Sequence, residues 1–432
     1  MIPGERSRKI AFRIYGPMIA VGLVARVAII PFLYHEWMDP FVLEHWAFGR
    51  IGRSIAQGHG FGNPFADTGL SALLPPVYPY VLAGIFKIFG VYTKASIIAT
   101  LALNSVFSGA TCVPVYYVAK KSFGDRAAKW AGWGWALSPY GVYYGGDWAW
   151  STCLVTLLLC CLFLIAMELE ETDRPVYWLG FGLLTGVAAL TEPVVLSVVP
   201  LLGVWTCYRR FLRGRSWLAP GAVAALALVA VMAPWVLRNY QVFHKFIPVR
   251  SGFGLELYIG NNGYTMRWVN SGLHPNHNDA ELAEYERVGE IAYMEHKRQQ
   301  GIDFIRAHPR WFLWMMLRRA VYMWTGYWSF KPEYLAAEPL DPPNVPVATT
   351  LTVLALIGLW RAYRRNPALA VRYAIVLAFF PIVYYVSHPE TYYLRPVDPI
   401  IDVLAAYGLL GFFRKAHEPS IASSQHTVAQ TG

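Results

Sequence analysis

Two stretches of this chain, Thr152 to Met167 and Ala222 to Val236, carry no charged residue over fifteen or more positions. Extended by their flanks to about 20 residues, such runs are long enough to cross a bilayer as helices. Their frequency along the chain leaves little room for a soluble fold. Of 432 residues, 56% are hydrophobic and only 15% charged, against roughly 25% charged in a soluble domain. The reading is an all-α polytopic membrane protein.

The net charge of +10 does not point to nucleic acid. Basic residues stand at the ends of apolar blocks, as Arg209, Arg210, Arg213 and Arg215 do, which is how cytoplasmic loops are marked. The five cysteines, Cys112, Cys153, Cys160, Cys161 and Cys207, all fall in predicted spans without metal-ligand spacing, so they read as packing residues. Arg6, Arg8, Lys9 and Arg13 precede a long apolar run with no small-residue cleavage site. That pattern predicts an uncleaved first span.

Ten spans are predicted, at about 14–34, 97–119, 127–145, 149–167, 176–190, 192–208, 217–237, 345–361, 370–386 and 397–414, within a range of 10–13. With a basic cytoplasmic N-terminus (1–13), the Lys120–Lys129 cluster, Arg174, the Arg209–Arg215 and Arg361–Arg365 clusters and Arg414 with Lys415 all fall inside. One orientation satisfies every basic site. Counting 74–90 as a span would move most of these clusters outside, so it is read as a juxtamembrane helix opening on Pro75-Pro76. Residues 311–328 carry Arg318 and Arg319 at their middle and seven aromatics, which suits an interfacial helix.

The expected organisation is a transmembrane core at 14–237 with a first outer loop at 35–96, an outer loop with an interfacial helix at 238–344, closing spans at 345–414 and a disordered tail at 415–432. The second loop holds a charged, helical segment, Asp279–Gln300.

Candidate chemistry gathers on the outer face. Asp39 before Pro40 reads either as a helix cap or as a reacting acid. Glu44 falls at helical spacing with Phe48, Ile51 and Ile55, with His45 beside it. A carboxylate on an apolar face is costly unless paired or used, and lost hydration would suit it to proton transfer. Asp147 and Glu192 stand at span ends, where an acid can also serve a helix dipole. His388, Glu390 and Arg395 crowd one short turn, and Arg238, Lys245 and Arg250 follow a span on the same face. Cations there suit a lipid phosphate or simple snorkelling. No compact carboxylate–histidine set suggests a metal.

The segments Gly52-Arg53-Ser54-Ile55-Ala56-Gln57-Gly58-His59-Gly60-Phe61, Pro75-Pro76-Val77-Tyr78-Pro79, Phe86-Lys87-Ile88-Phe89-Gly90, Ala136-Leu137-Ser138-Pro139-Tyr140, Pro234-Trp235-Val236-Leu237-Arg238-Asn239-Tyr240, Leu257-Tyr258-Ile259-Gly260-Asn261-Asn262 and Tyr393-Leu394-Arg395-Pro396 occur in that order. This series resembles the GT-C superfamily of integral membrane glycosyltransferases, above all the bacterial family 39 group related to protein mannosyltransferases and to the aminoarabinose transferase of lipid A. The resemblance covers roughly residues 10–415. It implies a GT-C-type helix bundle in a bacterial inner membrane and a sugar carried on a polyprenyl phosphate. An acid of the first outer loop would act as base on an acceptor glycan, lipid or protein, without a cofactor. Many relatives carry an adjacent Asp-Glu pair after the first span, whereas Asp39 and Glu44 are separated here. Glu44 is therefore the first candidate base and Asp39 the second. Arg238 and Arg395, then Lys245 and Arg250, are candidates for the leaving phosphate; His388 and Glu390 are candidates for the sugar or acceptor. The competing class is a transporter or lipid flippase, disfavoured because no internal repeat is visible and the charges gather at one face. A scaffold that has lost its base is a third reading.

Overall fold

The structure is a computed structural model and describes residues 5–33, 42–263, 271–332, 335 and 341–415. Among them helices account for nearly everything, and the only β pairing is an isolated bridge between Gly62 and Leu70. Among the described residues eight stretches are long and apolar enough to span: Tyr15–Phe32, Lys94–Phe123, Thr152–Leu169, Pro193–Leu212, Leu218–Phe243, Pro343–Arg365, Pro367–Val386 and Arg395–Phe413. Two further predicted spans take other forms. Pro175–Ala189 is a shorter apolar helix. The 127–145 stretch is two helices, Asp125–Ala136 and Pro139–Gly146, parted where Ser138 caps the second and Pro139 opens it. The predicted tail beyond Lys415 lies outside the described residues.

The helices pack closely because glycines allow it. A Cβ on Gly182 would lie 2.1 Å from the Ala224 carbonyl oxygen, and one on Gly358 2.0 Å from that of Leu404. Small residues at helix contacts let backbones approach, and close packing is a main attraction available between helices in lipid. Apolar side chains such as Val24, Phe32, Leu226 and Val229 stay exposed on the outside of the spans, a surface suited to hydrocarbon.

The helix ends sort into two groups, as the charge count predicts. At one end, Lys121 Nζ pairs with Glu168 at 2.8 Å, Arg361 Nη1 donates to the Gly408 carbonyl at 3.1 Å, and Trp205 Nε1 donates to that of Ala368 at 3.3 Å. Tyr15 of the first span meets Tyr117 there. At the opposite end gather the loop residues 42–76, 147–150, 190–192, 244–262 and 387–396. Rings join them: Trp46 to Trp150 at 5.5 Å, Trp150 to Tyr392 at 5.7 Å and Tyr392 to Tyr393 at 4.7 Å between centroids.

The juxtamembrane reading of 74–90 matches a 13-residue helix, Val77–Phe89. The 311–328 stretch becomes Pro309–Thr325, and its Arg319 is buried because its guanidinium donates to the carbonyls of Gly260, Tyr385 and Val386. The charged segment Asp279–Gln300 is helical but broken: Gly289, at φ 81°, ends Asp279–Val288 and starts Glu290–Ala307.

Candidate functional site

Glu290 opens that second helix and fastens the loop end together. Its carboxylate accepts from Ser71 Oγ at 2.6 Å, the Ala72 amide at 2.8 Å, Ser251 Oγ at 2.6 Å and Tyr285 Oη at 2.8 Å. Four donors on one buried acid fix the first outer loop against the residues that follow the Leu218–Phe243 span.

A polar recess lies beside this clasp. The Phe253–Gly260 helix carries Glu256, and Gly260 lets it approach the 387–393 turn, since a Cβ there would sit 1.8 Å from the Ser387 carbonyl oxygen. Asn261 Nδ2 locks the contact by donating to the Val386 carbonyl at 2.8 Å. Glu256 Oε1 then meets Arg250 Nη2 at 2.7 Å, and Glu256 Oε2 lies 3.6 Å from His388 Nε2. His388 Nδ1 is 3.2 Å from the Glu256 backbone oxygen, and Tyr393 Oη is 3.4 Å from His388 Nε2. The side chains of Arg250 and Glu256 stay 21% and 29% exposed, so the recess is open.

The electrostatics separate its members. Burial pushes Glu192 up to about 6, with Arg250 opposing and Glu256 adding to the shift. Burial works the same way on Glu256, but Arg250 and His388 outweigh it and hold this carboxyl below its ordinary value. Burial lowers His388, and takes His274 to about 4, against the pull of Glu256. His274 is therefore neutral at pH 7 and can accept a hydrogen bond. His274 also stacks edge-on with Phe65 of the first loop at 5.2 Å.

A groove of about 600 Å³ adjoins the recess, walled by Pro76, Val77, Val81, Leu190, Val231, Pro234 and Trp235, with Arg238 at its edge. Its Leu190 is two residues from Glu192. Arg238 donates through Nη1 to the Ser71 carbonyl at 2.6 Å and through Nη2 to that of Phe61 at 2.8 Å, and lies over the rings of Phe61 and Trp235. No described carboxylate is within ion-pair distance of it. Loop backbone thus holds its charge at the groove, with the Glu290 carboxylate within electrostatic reach.

The sequence-predicted residues divide accordingly. Arg250, His388 and Glu192 meet in the recess, and Glu390 sits beside Tyr392 and Tyr393 at its rim. Lys245 is exposed outside it. Asp147 is buried at the end of the Pro139–Gly146 helix. Arg395 lies deeper, 3.9 Å over the Tyr140 ring, with Nη1 3.2 Å from Asp398 Oδ2. An internal partner thus already matches its charge. Asp39 lies outside the described residues.

The expected placement of Glu44 needs correction. The helical period does not run through from Pro40, because Trp46 is extended (φ −107°, ψ 137°) and separates the short Val42–His45 turn from Ala47–Ala56. Phe48 and Ile51 face the core, while Glu44 turns to the surface, 33% exposed, with Oε1 3.1 Å from Arg53 Nη1. His45 is exposed, and its carbonyl accepts from Asn276 Nδ2 at 3.1 Å. Sequence reasoning missed Glu256, His274 and Asp398. A lone acid within the apolar Phe253–Gly260 helix was the available signal for Glu256; nothing local marked His274.

Among the described residues no group of three or more His, Cys, Asp or Glu side chains is placed to hold a metal. The family model for dolichyl-phosphate-mannose-protein mannosyltransferases matches residues 74–235. No curated protein sequence matches. The archaeal oligosaccharyltransferase AglB from Archaeoglobus fulgidus, solved with an inhibitory peptide and a dolichol-phosphate, superimposes with a TM-score of 0.56 at 15% identity, over 96% of this chain and 51% of that one. An Archaeoglobus fulgidus oligosaccharyltransferase tethered to an acceptor peptide gives 0.56 at 14% identity, over 94% of this chain and 50% of that one. ArnT from Cupriavidus metallidurans aligns over 90% of this chain and 78% of that one, at 14% identity and a TM-score of 0.37. The chain spans about half the length of the oligosaccharyltransferase structures it matches. The chain is thus similar in fold to the archaeal oligosaccharyltransferase and, over residues 74–235, in sequence to the mannosyltransferase family.

Proposed function

We propose that this protein transfers a sugar from a polyprenyl-phosphate carrier to an acceptor at its loop-bearing membrane face, the periplasmic side of a bacterial inner membrane. The observation that carries the reading is the adjacency of groove and recess. An apolar wall ending at a cation suits a lipid chain and its phosphate. Two residues along the chain, a recess holding carboxylates, imidazoles and tyrosines suits a sugar and its hydroxyls.

In this mechanism Arg238 faces the phosphate as the glycosidic bond breaks and negative charge develops on the leaving lipid. Arg250, Glu256, His388 and Glu390 orient the sugar. The acceptor hydroxyl loses its proton to an acid of the first outer segment, Glu44 or Asp39, and attacks the anomeric carbon. Pairing with Arg53 orients Glu44 at the surface, where an acceptor arrives. Hexose or pentose, and glycan, lipid or protein acceptor, follow from the shape of the recess rim.

The test is transfer from a polyprenyl-phosphate sugar to a mixed acceptor pool by purified protein. E44Q, D39N and E192Q are run in parallel. Loss of transfer in E44Q or D39N, with donor binding retained, identifies the base. If E192Q alone abolishes turnover, the base belongs to the recess. If wild-type protein transfers no sugar but moves solute or lipid across vesicles, the enzyme reading fails.

A further inference from the structure

At the end of the spans remote from the recess, the helices Pro175–Ala189, Val199–Leu212 and Leu218–Phe243 leave a second cleft, of about 620 Å³. Gly182, Gly203 and Gly221 are among the residues that line it. Its walls are apolar, with Tyr208, Phe211 and Trp217 near the mouth. Aromatic residues of that kind mark the level of lipid headgroups. From Leu218 to Leu228 the cleft follows ten helical rises, about 15 Å, half of a hydrocarbon core about 30 Å thick. It has the depth of one leaflet.

Beside the mouth the charge is unbalanced. Arg209 Nε lies 3.2 Å and Arg213 Nη2 2.8 Å from the same oxygen of buried Glu170, and Arg372 converges on that carboxylate too. Three guanidinium groups on one carboxylate leave a surplus of positive charge. Arg210, lying over the Trp178 ring of the cleft wall, is matched separately by Asp173. Arg215, two residues before Trp217, is exposed, and its Nη1 donates to the Glu171 backbone carbonyl.

We propose that this cleft holds one acyl chain of an anionic phospholipid from the leaflet at the basic end, its phosphate over Arg213 and Arg215. The lipid braces three spans whose other ends carry the groove and recess. It requires no part of the transfer chemistry.

The probe is phosphatidylglycerol against phosphatidylethanolamine, each in mixed micelles with the full chain, read by native mass spectrometry. Wild type should retain one phosphatidylglycerol, at least tenfold preferred. G203F, which fills the cleft, should lose it, and R213Q/R215Q should lose the preference. Cys207 lies in the cleft, so in unsubstituted protein its maleimide labelling should slow at least threefold in phosphatidylglycerol, a readout independent of how the variants fold. Equal retention of the two lipids, undiminished binding by G203F, or unchanged Cys207 labelling overturns the proposal. So does displacement of phosphatidylglycerol by a polyprenyl phosphate, which would assign the cleft to the donor's tail.

Discussion

Glu192 and Glu256 share the influence of Arg250, and their surroundings drive them apart. Such divergence is how one site obtains both a proton-binding and a permanently charged carboxylate at neutral pH. Glu192, raised to about 6, is ionised above that pH and neutral below it. If transfer needs the ionised form, the rate falls as pH drops through about 6, and E192Q should remove that acid limb from the pH profile. Glu256 stays ionised well below this window. E256Q should therefore lower transfer at every pH, by about tenfold or more, since it leaves Arg250 partly buried without its bonded partner. A Michaelis constant that rises while turnover holds would assign Glu256 to sugar binding alone. These residues were unevenly legible. Arg250, His388 and Glu192 stood out because they flank spans, where an ionisable group needs a reason. Glu44 was misplaced because a helical period was carried through Trp46, and the extended backbone at that residue depends on packing with Trp150.

At the scale of elements, apolar length was enough to find the spans, since hydrocarbon demands it. The interruptions were harder to see. The break at Leu137–Ser138 and the turn at Gly289 are set by capping and by the neighbours that receive each helix. Two elements carry strong expectations. E290A removes the acceptor of four hydrogen bonds and leaves buried Ser71 and Tyr285 hydroxyls unmatched. A loss of about 3 kcal/mol or more is expected, seen as a lower unfolding midpoint and faster amide exchange across residues 61–76. G182A would press a methyl group onto the Ala224 carbonyl and force two spanning helices apart. It should cost about 2 kcal/mol or more, whereas G180A, at a position open to its surroundings, should be nearly neutral in the same melt.

At the scale of the whole molecule, charge bookkeeping anticipated which loops would meet. The Lys121, Arg209–Arg215 and Arg361 segments share one end, and residues 42–76, 190–192, 244–262 and 387–396 the other. Sidedness follows from lysine and arginine placement. In a chain whose native cysteines are replaced, K245C and R215C should label from opposite sides of sealed vesicles with a membrane-impermeant thiol reagent. Labelling of both from one side would refute the arrangement.

The groove beside Leu190 is walled mostly by apolar side chains, which suits contact with hydrocarbon better than with water. A carrier seated there would slide in laterally, tail first among the acyl chains, and its spent form would withdraw by the same doorway. Turnover would then track how freely lipids diffuse in the surrounding sheet: stiffening the membrane would slow the protein even with every side chain intact, and a water-soluble donor stripped of its tail would be ignored.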